Sequence, residues 1–247
     1  MIPLKSPKDL QMLRRSGRIL SLVMRKVSGI VQPGITTADI DRLSEELILK
    51  QKARPAFKGY KGFPATACVS VNEEIVHGIP GPRVLLEGDI VSIDLGVNYQ
   101  GYFSDAAITL PVGRIEQSRK KLIDTAKGAL DIGVSLAWPG KNLGDISYGI
   151  QSFVEGRGFS VVRQFVGHGI GMALHEEPEV PNFGKANSGP QLKSGMVLAI
   201  EPMINVGTWE CRITDNGWTA VTSDGLSSAH FEHTVAITDK GPEILTR

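Results

Sequence analysis

Two stretches of this chain, about a hundred residues apart, read as copies of one another. Leu85, Gly88, Ile90, Ser92, Ile93 and Asp94 are matched by Leu192, Gly195, Val197, Ala199, Ile200 and Glu201. In each, a glycine is followed by an apolar run and then, six positions on, by a carboxylate. Such runs read as buried strands. A buried strand that ends in an acid twice over points to two related halves with a site built between them.

The order of predicted elements repeats as well. Ser6, Pro7 and Asp9 form a helix start, with a Ser cap, Pro in the first turn and an acid at its third position. That helix should run to about Gly29 and bury Leu13, Leu20, Val23 and Val27. Pro33-Gly34 breaks it, and Thr36 with Asp39 opens a second helix ending near Lys50. From Tyr60 to Thr109 glycine and β-branched residues predict strands and turns. Helical periodicity returns from about Ile115 to Leu136 and, after Pro139-Gly140, from about Leu143 to Glu155. Strands are expected again from Ser160. Pro33-Gly34 with Asp39-Ile40 is echoed by Pro139-Gly140 with Asp145-Ile146, and His77-Gly78-Ile79 by His168-Gly169-Ile170. The expectation is a single α/β (α+β) domain over residues 1–247. Its halves, about 1–112 and 113–247, would be related by a pseudo-twofold axis.

Asn98-Tyr99-Gln100-Gly101 reads as a turn between strands. A symmetric hairpin closing on Tyr99-Gln100 would set Asp94 directly opposite Asp105, with Cβ atoms roughly 5 Å apart. Facing carboxylates demand either a proton or a cation. The second half supplies Glu201 at its strand end and Glu232 in an alternating segment that sets Glu232, Thr234 and Ala236 on one face. Ser92 and Ala199 lie two residues before the strand-end acids, on the same faces, and are small enough to leave room for an ion. His168 sits among glycines in Gly167-His168-Gly169-Ile170-Gly171, where the backbone can be approached closely.

Other chemistries fit less well. Gly167 and Gly169 are followed three positions on by Met172, so the dinucleotide fingerprint is not met, and there is no phosphate-loop lysine pattern. His175-Glu176-Glu177-Pro178 begins like a zincin motif, but Glu179 stands where the second histidine belongs. Four carboxylates and one imidazole make a hard, oxygen-rich donor set whose charge balances two divalent cations. Such a set favours Mn, Fe(II) or Co, with Zn and Ni still compatible. Two such ions can hold a hydroxide and clamp a tetrahedral intermediate, so amide or ester hydrolysis is the natural reaction class.

With these residues in view the chain resembles the type I methionine aminopeptidases, in their short bacterial form. The matching stretches are Phe57 to Pro64, Val71 to Pro80, Asp94 with Asp105, Gly167 to Gly171, His175 to Pro178, Ile200 to Met203, and Glu232 to Thr234. The resemblance implies the pita-bread fold, in which each half packs helices on a curved, mainly antiparallel sheet around two metal ions. It implies Asp94 on one metal, His168 and Glu201 on the other, and Asp105 and Glu232 bridging them. A metal-bridged hydroxide would attack the scissile carbonyl, with Glu201 as general base. His175 would stabilise the oxyanion, and His77 would touch the substrate backbone and assist the leaving amine. The methionine pocket would be lined by Phe57, Tyr60, Phe63, Cys68 and Trp218. Lys61 and Leu174 flank the site at positions where the family varies, often with His or Phe respectively.

The implied activity is removal of the initiator methionine from nascent chains whose second residue is small. The rivals are an Xaa-Pro peptidase, which shares the fold and ligand types, and a non-catalytic binding module. Composition shows no basic footprint of a nucleic-acid binder: 27 Lys and Arg against 26 Asp and Glu leave a net charge of +1. Arg119-Lys120-Lys121, the only compact basic run, reads as a solvated helix face. Two cysteines are too few for a disulfide framework. The N-terminal residues lack a signal-peptide core, and no apolar run approaches the ~18 residues that span a bilayer. A cytoplasmic monomer without membrane or direct nucleic-acid contacts is expected, with ribosome association a further expectation from the family's role.

Overall fold

Local signals place the helices. Ser6 and Asp9 form a reciprocal capping box, as do Thr36 and Asp39, and at a third start Asn142 N–H donates to Asp145 Oδ2 at 2.9 Å. Each box satisfies backbone donors that a helix start otherwise leaves open. The computed structural model describes residues 2–247. The first half contains α1 (Pro7–Ser28), α2 (Thr37–Lys50), β1 (Arg54–Pro55), β2 (Ala67–Val71), β3 (Glu74–Val76), β4 (Ile90–Tyr99) and β5 (Tyr102–Pro111). The second contains α3 (Gln117–Leu136), α4 (Leu143–Glu155), β6 (Ser160–Val161), β7 (Gly167–Gly169), β8 (Glu176–Val180), β9 (Val197–Ile200) and β10 (Met203–Asn205). It continues through β11 (Cys211–Ile213), β12 (Ala220–Thr222), β13 (Ser228–His230), β14 (His233–Thr238) and β15 (Gly241–Ile244). Leu13, Leu20, Val23 and Val27 are all buried on α1, as its periodicity predicts. No described helix is long and apolar enough to cross a membrane.

The two Pro-Gly segments make matching backbone hydrogen bonds. Gly34 N–H donates to Leu85 O at 2.8 Å, and Gly140 N–H donates to Leu192 O at 2.9 Å. Leu85 N–H returns to Ile35 O at 2.8 Å, and Leu192 N–H to Lys141 O at 2.7 Å. In the first half β4 is flanked by β5 on one side and by β1 and β2 on the other; in the second, β9 is flanked by β14 and β7. All pairings are antiparallel. Two smaller three-stranded sheets, β13-β10-β6 and β11-β12-β3, complete the frame.

One apolar cluster joins α1 and α2 to β2 and β4 through Leu20, Val23, Ile40, Ile48, Val69 and Ile93. A second joins α3 and α4 to β9 and β14 through Leu130, Ile146, Ile150, Leu198, Ile200 and Val235. A third draws on both halves, with Leu13, Phe57, Phe63 and Cys68 meeting Ile170, Leu174, Val197 and Ala236. Helices cover one face of each central sheet and the opposite half covers the other. Hence every β4 residue from Ile90 to Val97 is buried except Asp94.

Two expectations are corrected. The β4–β5 hairpin closes on Gln100-Gly101, not on Tyr99-Gln100, so Tyr99 faces Tyr102 and Asp94 faces Ala107, while Asp105 faces Gly96. Both turn residues have positive φ, 53° and 88°, as a tight two-residue hairpin loop requires, and Gly101 supplies the easier of the two. Moving the turn by one residue moves each cross-strand partner by two. The parity is unchanged, so Asp94 and Asp105 still share a face as diagonal neighbours. The echo between His77 and His168 is likewise not a structural equivalence. His168 pairs with Ala199 on β9, whereas Ser92, the counterpart of Ala199, pairs with Ser70 on β2.

Helix α1 is clamped against the C-terminal segment at Gly17, where an added Cβ would lie 2.2 Å from the Leu245 carbonyl oxygen. Gly17→Ala is therefore expected to destabilise the protein by about 1–3 kcal/mol, as overpacking does. Urea unfolding at fixed metal concentration measures this, and an unchanged midpoint would show that the C-terminal segment yields.

Candidate active site

The site lies where the two sheets face each other. Strand β5 meets the β13–β14 segment in an antiparallel alignment carried partly by side chains. Asp105 N–H donates to Thr234 Oγ1 at 2.9 Å and Thr234 Oγ1 donates to Asp105 O at 2.8 Å. Two residues along, Glu232 N–H donates to Ala107 O at 2.9 Å. Two further, Thr109 Oγ1 exchanges bonds with His230 O and N at 2.9 and 2.8 Å. Asp105 and Glu232, one from each half, are thereby fixed beside one another. Ser92, expected only to leave room, instead bonds the Thr109 hydroxyl at 2.8 Å and so supports this seam.

The glycines around His168 serve close approach. A Cβ at Gly167 would lie 2.3 Å from Ala199 O, and one at Gly169 2.1 Å from Glu177 O. His168 Nδ1 lies 2.8 Å from Gly169 O. A carbonyl only accepts, so Nδ1 carries the proton and the Nε2 lone pair is free for a metal. Nε2 is 3.6 Å from Glu201 Oε1. Asp105, His168 and Glu232 each present a ligand atom within 4.8 Å of the others.

The residues fit a metal centre on the structure's own terms. Asp94 Oδ1, Asp105 Oδ1 and Glu232 Oε1 are buried with no hydrogen-bond partner. An unsatisfied buried acceptor costs about 1–3 kcal/mol, more when charged. Burial pushes all four carboxyls up, Asp94 to about 7 and the others well above their ordinary values. Neighbouring acids add to the rise at Asp105, Glu201 and Glu232. A cation removes both penalties at once.

Around these acids the structure gathers every other residue expected from the sequence. One cavity of about 180 Å³ is lined by Phe57, Tyr60, Phe63, Cys68, His77, His175 and Trp218 together with Asp94, Asp105, His168, Glu201 and Glu232; Lys61 and Leu174 complete its wall. Cys68 faces Asp94 directly across β2 and β4, and burial holds its thiol well above the ordinary value. Phe63 meets Trp218 edge-on at 5.2 Å, and His77 meets Phe165 edge-on at 5.4 Å. His175 stacks on Tyr60, whose hydroxyl lies 2.8 Å from His175 Nδ1. Burial depresses His77, and it holds His175 at about 3 with His168, Lys61 and His77 adding to the effect. Both rings are neutral at pH 7.

The sequence reading passed over His230. Its ring is buried, and Nε2 has no hydrogen-bond partner and lies 3.7 Å from Glu201 Oε2. Glu201 therefore stands between two imidazoles. The signal was present, since His230 is two residues before Glu232 and alternation sets them on one face. Asn182, which donates to Glu201 O at 3.1 Å, carried no such signal.

Two sheets that converge on a cage of buried acids, beside an apolar cavity edged with imidazoles, define a metal-dependent hydrolase site. Residues 11–239 match metallopeptidase family M24. The chain is 51% identical over 247 residues to methionine aminopeptidase 1 of Bacillus subtilis, with all of both chains covered. Its structure superposes on the crystal structure of methionine aminopeptidase from Thermotoga maritima with a TM-score of 0.99 and 45% identity, again over all of both chains. The chain belongs to the methionine aminopeptidases of metallopeptidase family M24. Prolidase from Pyrococcus furiosus shares the fold, with a TM-score of 0.81 at 22% identity over 99% of this chain and 65% of that one.

Proposed function

We propose that this protein removes the N-terminal methionine from nascent chains and peptides with a small second residue. The observation that carries this reading is the junction of two features in one cavity: buried, unsatisfied acids from both halves, and the wall of Phe57, Tyr60, Phe63, Cys68 and Trp218. A soft thioether suits an aromatic wall with a sulfur neighbour. Asp94, Asp105, His168, Glu201 and Glu232 would hold two divalent ions, of which Mn, Fe(II) or Co suit the donor set best, with Zn and Ni also compatible. When bound, such ions polarise a carbonyl and acidify water.

The chain's own residues do the rest. Glu201, between His168 and His230, takes a proton from the attacking water. Tyr60 Oη lies 2.8 Å from His175 Nδ1; with the tyrosine hydroxyl as donor, His175 carries its proton on Nε2 and donates it to the carbonyl oxygen as charge develops there. His77, neutral and set against Phe165, contacts the substrate backbone and relays a proton to the leaving amine. All five ligands come from one chain, so a monomer is sufficient. The two halves act as one catalytic domain, and we place the enzyme in the cytoplasm, at the N-termini of chains leaving the ribosome.

Met-Ala-Ser and Ala-Pro-Ala, assayed metal by metal, test this reading. Release of methionine from the first with no cleavage of the second is expected. The reverse preference identifies an Xaa-Pro peptidase, and no turnover with any divalent metal leaves only a binding module.

A further inference from the structure

The segment carrying Leu174 and His175 links β7 to β8 without strand pairing of its own, and Met172 at its tip is exposed. Its position is set from elsewhere. Met172 N–H and Ala173 N–H both donate to Glu176 Oε1, at 2.8 and 3.1 Å. Glu176 Oε2 is in turn paired with Lys5 Nζ, and the two side chains are only 7% and 11% exposed. Lys5 is itself anchored, its backbone N–H donating to Gly195 O at 2.7 Å. Gly171 makes room for the lysine, because a Cβ there would lie 2.3 Å from Lys5 Cε. From the first half, Phe103 N–H also donates to Gly171 O at 2.8 Å. The loop belongs to the second half and is clamped by the first.

We propose that Lys5 and Glu176 are positioning residues for His175: their buried ion pair holds the loop so that the His175 ring stays against Tyr60 and faces the scissile carbonyl. This rests on the function proposed above. A donor that acts on developing charge affects kcat and leaves KM nearly unchanged when it is misplaced. Displacement by about 1 Å costs up to ~10²-fold.

The test compares Lys5→Met, Lys5→Arg and Lys5→Gln, each alone and with His175→Ala, on Met-Ala-Ser with metal content and thermal midpoint recorded. Wild-type turnover of this peptide is the separate check on the function itself. Lys5→Met is expected to lower kcat roughly ten- to a hundredfold at nearly constant KM and full metal content. Lys5→Arg, which keeps the pair, should recover most of it. In the His175→Ala background Lys5→Met should cause no further loss, because both act through one ring. A readout independent of turnover is the His175 imidazole nitrogen resonance in metal-free protein, which should shift or broaden in Lys5→Met and not in Lys5→Arg. An unchanged kcat, an equal loss without His175, an unmoved resonance, or a loss in every Lys5 variant explained by missing metal or fold overturns the proposal.

Discussion

Asp105→Asn will remove methionine release while leaving the fold intact. The replacement is nearly isosteric, and the Asp105 main-chain bonds to Thr234 do not involve the carboxyl. What is lost is the charge on a buried side chain, 4% exposed, that reaches from the first half toward His168 and Glu232 of the second. Changes behind a metal's direct ligands typically cost 10–100-fold, so loss of this ligand should exceed ~100-fold in kcat/KM. Stability of the metal-free protein should hold or rise, because burial, and then the crowding of Glu232 and Asp94, push the proton affinity of the Asp105 carboxyl up. Kinetics, a metal count and a thermal melt on the chelated variant measure all three. Full activity would contradict the bridging role.

Chelation is expected to abolish activity, with Mn(II) or Co(II) restoring it, and to leave a protein whose stability falls as pH rises above about 6.5. The sign follows from the four acids. Their folded-state proton affinities are raised, that of Asp94 to about 7 and those of Asp105, Glu201 and Glu232 well above ordinary. A carboxyl raised on folding contributes stability present below its unfolded pKa and lost as pH rises through its folded one. The histidines act oppositely: His230 and His175 are held at about 3 by burial, so they cost stability as pH falls below the unfolded imidazole value. Below about 6.5 the two effects compete; above it the imidazoles no longer oppose the carboxyls. Metal displaces those protons, so the loaded protein should lack this decline and the gap in melting temperature should widen between pH 6.5 and 8.5. A free ion at 100 times its dissociation constant adds about 2.7 kcal/mol, worth roughly 5–10 °C for a chain of this size. Activity undiminished in chelator, or a chelated protein whose melting temperature rises over this range, would contradict the metal cage.

Much of the frame was legible because its signals are local. The capping boxes at Ser6 and Thr36 act within one turn, so two helix starts could be read directly, and the apolar periodicity of α1 gave its buried face. The hairpin was misplaced by one residue because Asn98 and Gly101 are both turn formers, and only the pairing of β4 with β5 selects the pair that turns. The face shared by Asp94 and Asp105 survived the error because side-chain alternation depends on parity alone. His77 and His168 misled because three matching residues carry no register, whereas their strand partners do.

The sequence by itself determined which groups are available: two apolar runs each followed by an acid, a histidine among glycines, and enough motif to define the family, although Asp94 lies within β4 and not at its end. That follows from chemistry written into residue types and short spacings. Tertiary structure alone decided how those groups meet. It fixed Asp105 to Thr234 and Glu232 to Ala107 across the seam between halves. It set His230 and His168 on either side of Glu201, and brought Lys5 to Glu176. Contacts between residues so distant along the chain are settled only when both sheets have folded and their faces have packed, because no local rule relates the register of one half to that of the other.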